Sequence, residues 1–160
     1  MTKLAEALVE RKALQERLAR LQVRLAANAK VQEGETPDEP PTALVEQARE
    51  TLAEIKRLTI QINLTNIETA LPGSTDGSTL MQAIAERDRL AQERRLLDQL
   101  SNAARVEAIR GYGVTRNEIK WRSTVDVAAL QQEIEAVSQS FRLLDTHIQE
   151  ANWLTDLLQS

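Results

Sequence analysis

Apolar residues return every three or four positions over most of this chain, which is the spacing of one helix face. In the first stretch Leu4, Ala7, Arg11, Leu14, Leu18, Leu21, Leu25 and Asn28 form such a seam, with Arg11 and Asn28 as its polar members. Charges of both signs fill the other faces, as a solvated helix requires. The spacing predicts a helix over about 2–29, ~40 Å long at ~1.5 Å per residue.

The run GETPDEPP, Gly34 to Pro41, ends that helix. Adjacent prolines cannot continue a helix, and each pushes the residue before it toward extended geometry. A second helix is predicted over 42–67, with the seam Val45, Ala48, Leu52, Ile55, Thr59, Ile62 and Asn66. Within it Leu58, Ile60, Ile62 and Leu64 alternate strictly, which is strand spacing. No Gly or Pro separates them from the helical run before them, so the helix assignment stands. A helix apolar on several faces is buried on several faces. Four helices of one chain supply limited cover, and a second subunit is expected.

LPGSTDGS, Leu71 to Ser78, is the second break, and Thr79 followed by Gln82 makes a capping box for a third helix over 79–105. Its inward positions are Leu80, Ile84, Leu90, Leu97 and Leu100, with Arg87 and Arg94 near the same stripe. Residues 106–125 leave the helical pattern. Gly111 and Gly113 flank Tyr112, and Ile119, Trp121, Ser123 and Val125 alternate with Lys120, Arg122 and Thr124, a strand or hairpin signature. Asp126 suits the N-cap of a fourth helix over 126–158. Its seam is Val127, Leu130, Ile134, Val137, Phe141, Leu144, Ile148 and Ala151, finished by Trp153, Leu154, Leu157 and Leu158.

The predicted fold class is therefore all-α. It is a single domain over 1–160, a long antiparallel four-helix bundle with coiled-coil-like seams and a short extended or hairpin segment before the last helix. Short first and second connections favour up-down-up-down packing.

Composition sharpens this picture. Only one Phe, one Tyr and two Trp stand among 42% apolar residues, so the core is aliphatic. A net charge of −4 gives no general attraction for nucleic acid or anionic lipid. Without cysteine there are no disulfides, thiolate chemistry or Cys-based metal sites. Met1 to Ala7 lacks an apolar signal core and no apolar run approaches ~18 residues, so the cytoplasm is the expected compartment.

Catalytic constellations are absent from the sequence. His147 is the sole histidine and Leu144 stands three residues before it, so the Glu-x-x-His pairs of a di-iron bundle are missing. There is no phosphate loop, no dinucleotide fingerprint and no nucleophile elbow. No enzyme activity, cofactor or metal is expected.

Three features remain as candidates. The first is the set of polar seam positions. Buried unpaired, Arg11, Asn28, Thr59 or Asn66 costs stability, and a buried Asn fixes register and oligomer state in coiled coils. The alternative places Asn28 and Asn66 at helix ends, capped or wet; a buried Arg11 calls for a carboxylate such as Glu68 or Glu93. With the apolar excess at Leu58, Ile60 and Leu64 and the aromatic Trp121, these residues make up the candidate oligomer and register set. The second is the alternating segment Ile119 to Val125, anchored by Trp121, which folds back, lies on the bundle or pairs with another subunit. The third is charge asymmetry. Glu33, Glu35, Asp38 and Glu39 make the first loop acidic, while residues 105–122 carry a net of +3, with Arg110, Arg116, Lys120 and Arg122 as a basic patch. The patch pairs with the acidic loop, stays solvated, or, with Tyr112 and Trp121 for stacking, binds single-stranded nucleic acid.

LAEAL at Leu4 to Leu8, NAKVQEG at Asn28 to Gly34, INLTN at Ile62 to Asn66, the LxxAIAERDRL run at Leu80 to Leu90, NEIK at Asn117 to Lys120, STVDVAALQ at Ser123 to Gln131 and LDTHIQEANWLTDLL at Leu144 to Leu158 resemble a family of small bacterial all-helical proteins. Some of its members carry the label septicolysin, which implies a pore-forming haemolysin. The resemblance covers nearly the whole chain and implies no catalytic residue. The residues themselves lead to a non-catalytic, self-associating helical scaffold. The resemblance implies a cytolysin as the alternative, and membrane contact is expected only in that case. The basic segment supplies a third reading, a weak nucleic-acid binder.

Overall fold

The structure, a computed structural model, describes residues 2–74, 77–105 and 122–159. Among the described residues four long helices follow one another: α1 Leu4–Asn28, α2 Pro41–Glu68, α3 Leu80–Ala104 and α4 Val127–Leu154. The fold is all-α, as the apolar spacing predicts. Among the described residues there is no strand, only the isolated bridges Lys3 with Asp156 and Ala70 with Thr79.

Three of the helix starts have local causes. At α1 the Lys3 backbone N–H donates to the Glu6 carboxylate at 2.7 Å. Pro40 and Pro41 start α2, where a missing N–H costs nothing, and the Pro40 carbonyl accepts the amides of Ala43 and Leu44. Asp126 caps α4 as expected, its Oδ1 accepting the amides of Ala128 and Ala129 at 2.9 and 3.0 Å.

The chain divides into two compact units. The first holds Met1–Met81 and Ile148–Ser160. In it α1 and α2 run antiparallel: Leu4 and Ala7 at the start of α1 pack with Leu58 and Ile62 in the second half of α2, while Arg24 near the end of α1 pairs with Glu39 just before α2. Leu80, Ala151 and Leu157 complete this core. Residues Thr2 to Leu4 pair with Thr155 to Leu157. The Leu4 amide donates to the Thr155 carbonyl at 3.0 Å and the Leu157 amide to the Thr2 carbonyl at 2.9 Å. Lys3 Nζ adds the Leu154 carbonyl and the Asp156 carboxylate.

That pairing corrects the predicted end of the fourth helix. It stops at Leu154, not 158, because the next residues exchange helical bonds for bonds to the start of α1. The turn buries Leu157 and leaves Trp153, Leu154 and Leu158 exposed.

The second unit is Gln82–His147. Its two helical stretches are antiparallel and tied by polar contacts: Gln131 Nε2 donates to Ser101 Oγ at 2.6 Å, and Arg87 reaches Asp145 at 3.4 Å. Leu90 and Leu130 are buried there as predicted, but Leu100 is exposed and Ser101 takes the buried position beside it.

The α2 seam also needs correction. The buried residues are Leu44, Thr51, Leu58, Gln61, Ile62 and Thr65, whereas Val45 and Leu52 are exposed. Leu44, Thr51, Leu58 and Thr65 are seven apart, a heptad row one position away from the predicted one. Threonine is tolerated there because its hydroxyl bonds within the helix. Thr51 donates to the Gln47 carbonyl and Thr65 to the Gln61 carbonyl, each at 2.8 Å, so no buried donor is left over.

Most of the segment predicted as a strand or hairpin, with Ile119 and Trp121, lies outside the described residues. At its end the chain bends instead of extending: Ser123 Oγ donates to the Val125 carbonyl at 2.7 Å and accepts the Val125 amide.

Candidate interaction surface

α2 presents apolar side chains on two sides. One side carries Leu58, 1% exposed, with Ile62 and Thr65 against the rest of the first unit. The other carries Ile60, Leu64 and Ile67, which are 43%, 39% and 45% exposed. At ~100° per residue, Ala53, Ile60, Leu64 and Ile67 fall within about 60° of arc, away from Leu58 and Thr65. The strict alternation Leu58, Ile60, Ile62, Leu64 is thus resolved in a helix: its first and third members are core, its second and fourth face outward.

Between the stems of Lys56 and Arg57 this outer stripe opens into a shallow hollow lined by Ala53, Lys56, Arg57 and Ile60. Arg57 is held in place. Its guanidinium donates to the Glu54 carboxylate and, at 2.7 Å, to the Gln61 side-chain oxygen. That hydrogen bonding lowers the Glu54 carboxyl below its ordinary range and raises Arg57. Lys56 and Glu68 form no ion pair among the described residues.

The other candidate residues are dispersed. Arg11 is half-buried on α1 and forms no ion pair among the described residues, with neither Glu68 nor Glu93 as its partner; Glu93 instead pairs with Arg89. Asn28 is a helix-end tie. Its Nδ2 donates to the Arg24 carbonyl and its Oδ1 accepts the Glu39 amide, both at 3.0 Å. Asn66 is half-buried, and Thr59 bonds back to the Ile55 carbonyl. The acidic loop contributes Glu39 to Arg24 of α1, which lowers the Glu39 carboxyl through their hydrogen bonds. Of the basic patch Arg122 is exposed, while Arg110, Arg116 and Lys120, like Trp121, lie outside the described residues. His147 is an exposed residue of α4.

Sequence reasoning misses Ala53 and Ile67. Their spacing with Ile60 and Leu64 (seven, four, three) is the available signal for a second seam on the same helix.

Among the described residues no three metal-ligating side chains gather, and no helix is long and apolar enough to cross a membrane. A model described as a family of unknown function (DUF6847) matches residues 11–157. The chain belongs to this family. The DUF6847 match begins in α1 and takes in the whole of α2 with its outer stripe. A functionally unknown conserved protein from Corynebacterium diphtheriae, solved by crystallography, is 34% identical to this chain. The two align over 98% of this chain and 99% of that one, with a TM-score of 0.86. No curated protein matches. Neither the DUF6847 family description nor that protein assigns an activity to any residue.

Proposed function

We propose that this chain is a non-catalytic, self-associating helical scaffold or interaction module working in the cytoplasm. The observation that carries the proposal is the outer stripe of α2, which leaves Ile60, Leu64 and Ile67 in water although the same helix has already buried Leu58 and Ile62. An apolar row along a helix is stabilised by a partner helix, and burial of such side chains contributes about 25 cal/mol per Å². Mixed charge on the other faces keeps the module soluble and leaves the stripe as its contact surface.

Light scattering of the purified chain over the micromolar range is expected to give a mass above that of one chain, falling toward it on dilution. A single-chain mass throughout would sink the proposal. The pore-forming activity implied by the septicolysin resemblance has its own readout. Liposomes loaded with dye are expected to stay intact under the scaffold reading, and rapid release would favour the cytolysin instead.

A further inference from the structure

We propose that α2 packs antiparallel on the α2 of a second copy, with Leu64 of each chain seated in the hollow between Ala53, Lys56, Arg57 and Ile60 of the other. This rests on the self-association reading and gives it a geometry.

The hollow is lined by residues at i, i+3, i+4 and i+7 of one helix. Those four positions form the hole that receives a knob in coiled-coil packing. Ala53 supplies a floor of one methyl group, the apolar stems of Lys56 and Arg57 form the walls, and Ile60 closes one end. Leu64, one turn beyond, is exposed on the same stripe and has the length of a knob.

Hole and knob on one helix are self-complementary only in one arrangement. In a two-fold contact, if residue i meets j then j meets i. Placing Leu64 of the second copy over the centre of the hollow puts the axis beside Ile60, so that Ile60 meets its own counterpart. The two Leu64 side chains then enter two equivalent holes.

Charge agrees with this arrangement. Arg57 and Glu68 lie on the same flank of the stripe, and a two-fold axis between antiparallel helices brings like flanks together. Because Cβ atoms tilt toward each helix's own N-terminus, Arg57 of one copy and Glu68 of the other lean toward each other. Glu68 is otherwise without an ion pair among the described residues. The contact covers one helix face, less than the ~800 Å² per partner of a standard stable interface, so the dimer is concentration-dependent.

The chain has no cysteine, which permits a direct test. Ile60→Cys is expected to form an intermolecular disulfide under mild oxidation, since the paired Cβ atoms come within reach of a bridge. Arg49→Cys, whose counterparts are separated by ~34 Å in this register, is expected to stay uncrosslinked. Ala53→Leu fills the hole and Leu64→Asp removes the knob; each is expected to raise the dimer dissociation constant by about tenfold or more with helical circular dichroism unchanged. A particle above one-chain mass that neither crosslinks in the Ile60→Cys variant nor responds to Ala53→Leu would overturn this packing and leave self-association standing. A one-chain mass at every concentration overturns both.

Discussion

The Thr65 hydroxyl joins α2 to the residues after α4: it donates to the Gln61 carbonyl at 2.8 Å and accepts the Leu158 amide at 3.0 Å. Thr65 is fully buried, so the oxygen has no water to fall back on. Thr65→Val keeps the shape and orphans the Leu158 N–H. The expected cost is about 1–3 kcal/mol, with Thr65→Ser closer to the parent protein. Urea unfolding measures the difference, and amide hydrogen exchange at Leu158 should accelerate only in the valine variant.

Leu4 is the residue on which the first unit closes, in one cluster with Leu58, Leu80, Ala151 and Leu157. Leu4→Ala is expected to cost about 2–5 kcal/mol through lost burial and the cavity left behind. Val23→Ala, on the same helix but 70% exposed, is expected to stay within about 0.5 kcal/mol. Equal effects in thermal unfolding would contradict the placement of this core.

Asn28 ties the end of α1 to the residue before α2. Asn28→Ala removes its bonds to the Arg24 carbonyl and the Glu39 amide, for an expected loss of about 1 kcal/mol. Its association behaviour by light scattering should match the parent chain. A change of oligomer number would restore the register role that its seam position suggests.

Acid should loosen the fold in a defined direction. Hydrogen bonds from Arg24, Arg57, Arg89 and Lys3 lower the carboxyls of Glu39, Glu54, Glu86 and Asp156 respectively. A carboxyl lowered by folding contributes stability that is present above its ordinary value of about 4 and is lost as pH falls through the lower folded value. All four pairs are solvent-exposed, so each contribution is small and salt-screened. The urea midpoint should therefore be flat near neutrality and decline below about pH 4. Asp156→Asn should make that decline shallower.

Much of this fold is legible in the apolar spacing. The four helices and the Asp126 cap follow from the period of 3.6 and from Pro and Gly punctuation, and α4's seam holds from Leu130 to Ala151. The α2 seam falls one residue off because the rows Val45, Leu52, Thr59, Asn66 and Leu44, Thr51, Leu58, Thr65 each hold two apolar and two polar members, and spacing alone does not show that Thr51 and Thr65 carry their own acceptors one turn back. The stop at Leu154 is hidden for a different reason. Nothing local ends that helix; the backbone of Thr2 and Leu4, some 150 positions earlier in the sequence, competes for its last hydrogen bonds. The outer stripe is visible in the sequence only as a surplus around Leu58 to Leu64, since alternation alone does not say which member faces which way.

The bridge between the two ends of the described chain also sets an order of events during synthesis. The α1–α2 pair and Leu80 leave the ribosome long before Ala151 and Leu157, which complete their core. At ~5–20 residues per second the interval from Leu80 to Leu157 is about 4–15 s. Throughout it Leu4 and Leu80 wait without their last neighbours. However fast its helices form, this core is complete only once Ala151 and Leu157 have joined it.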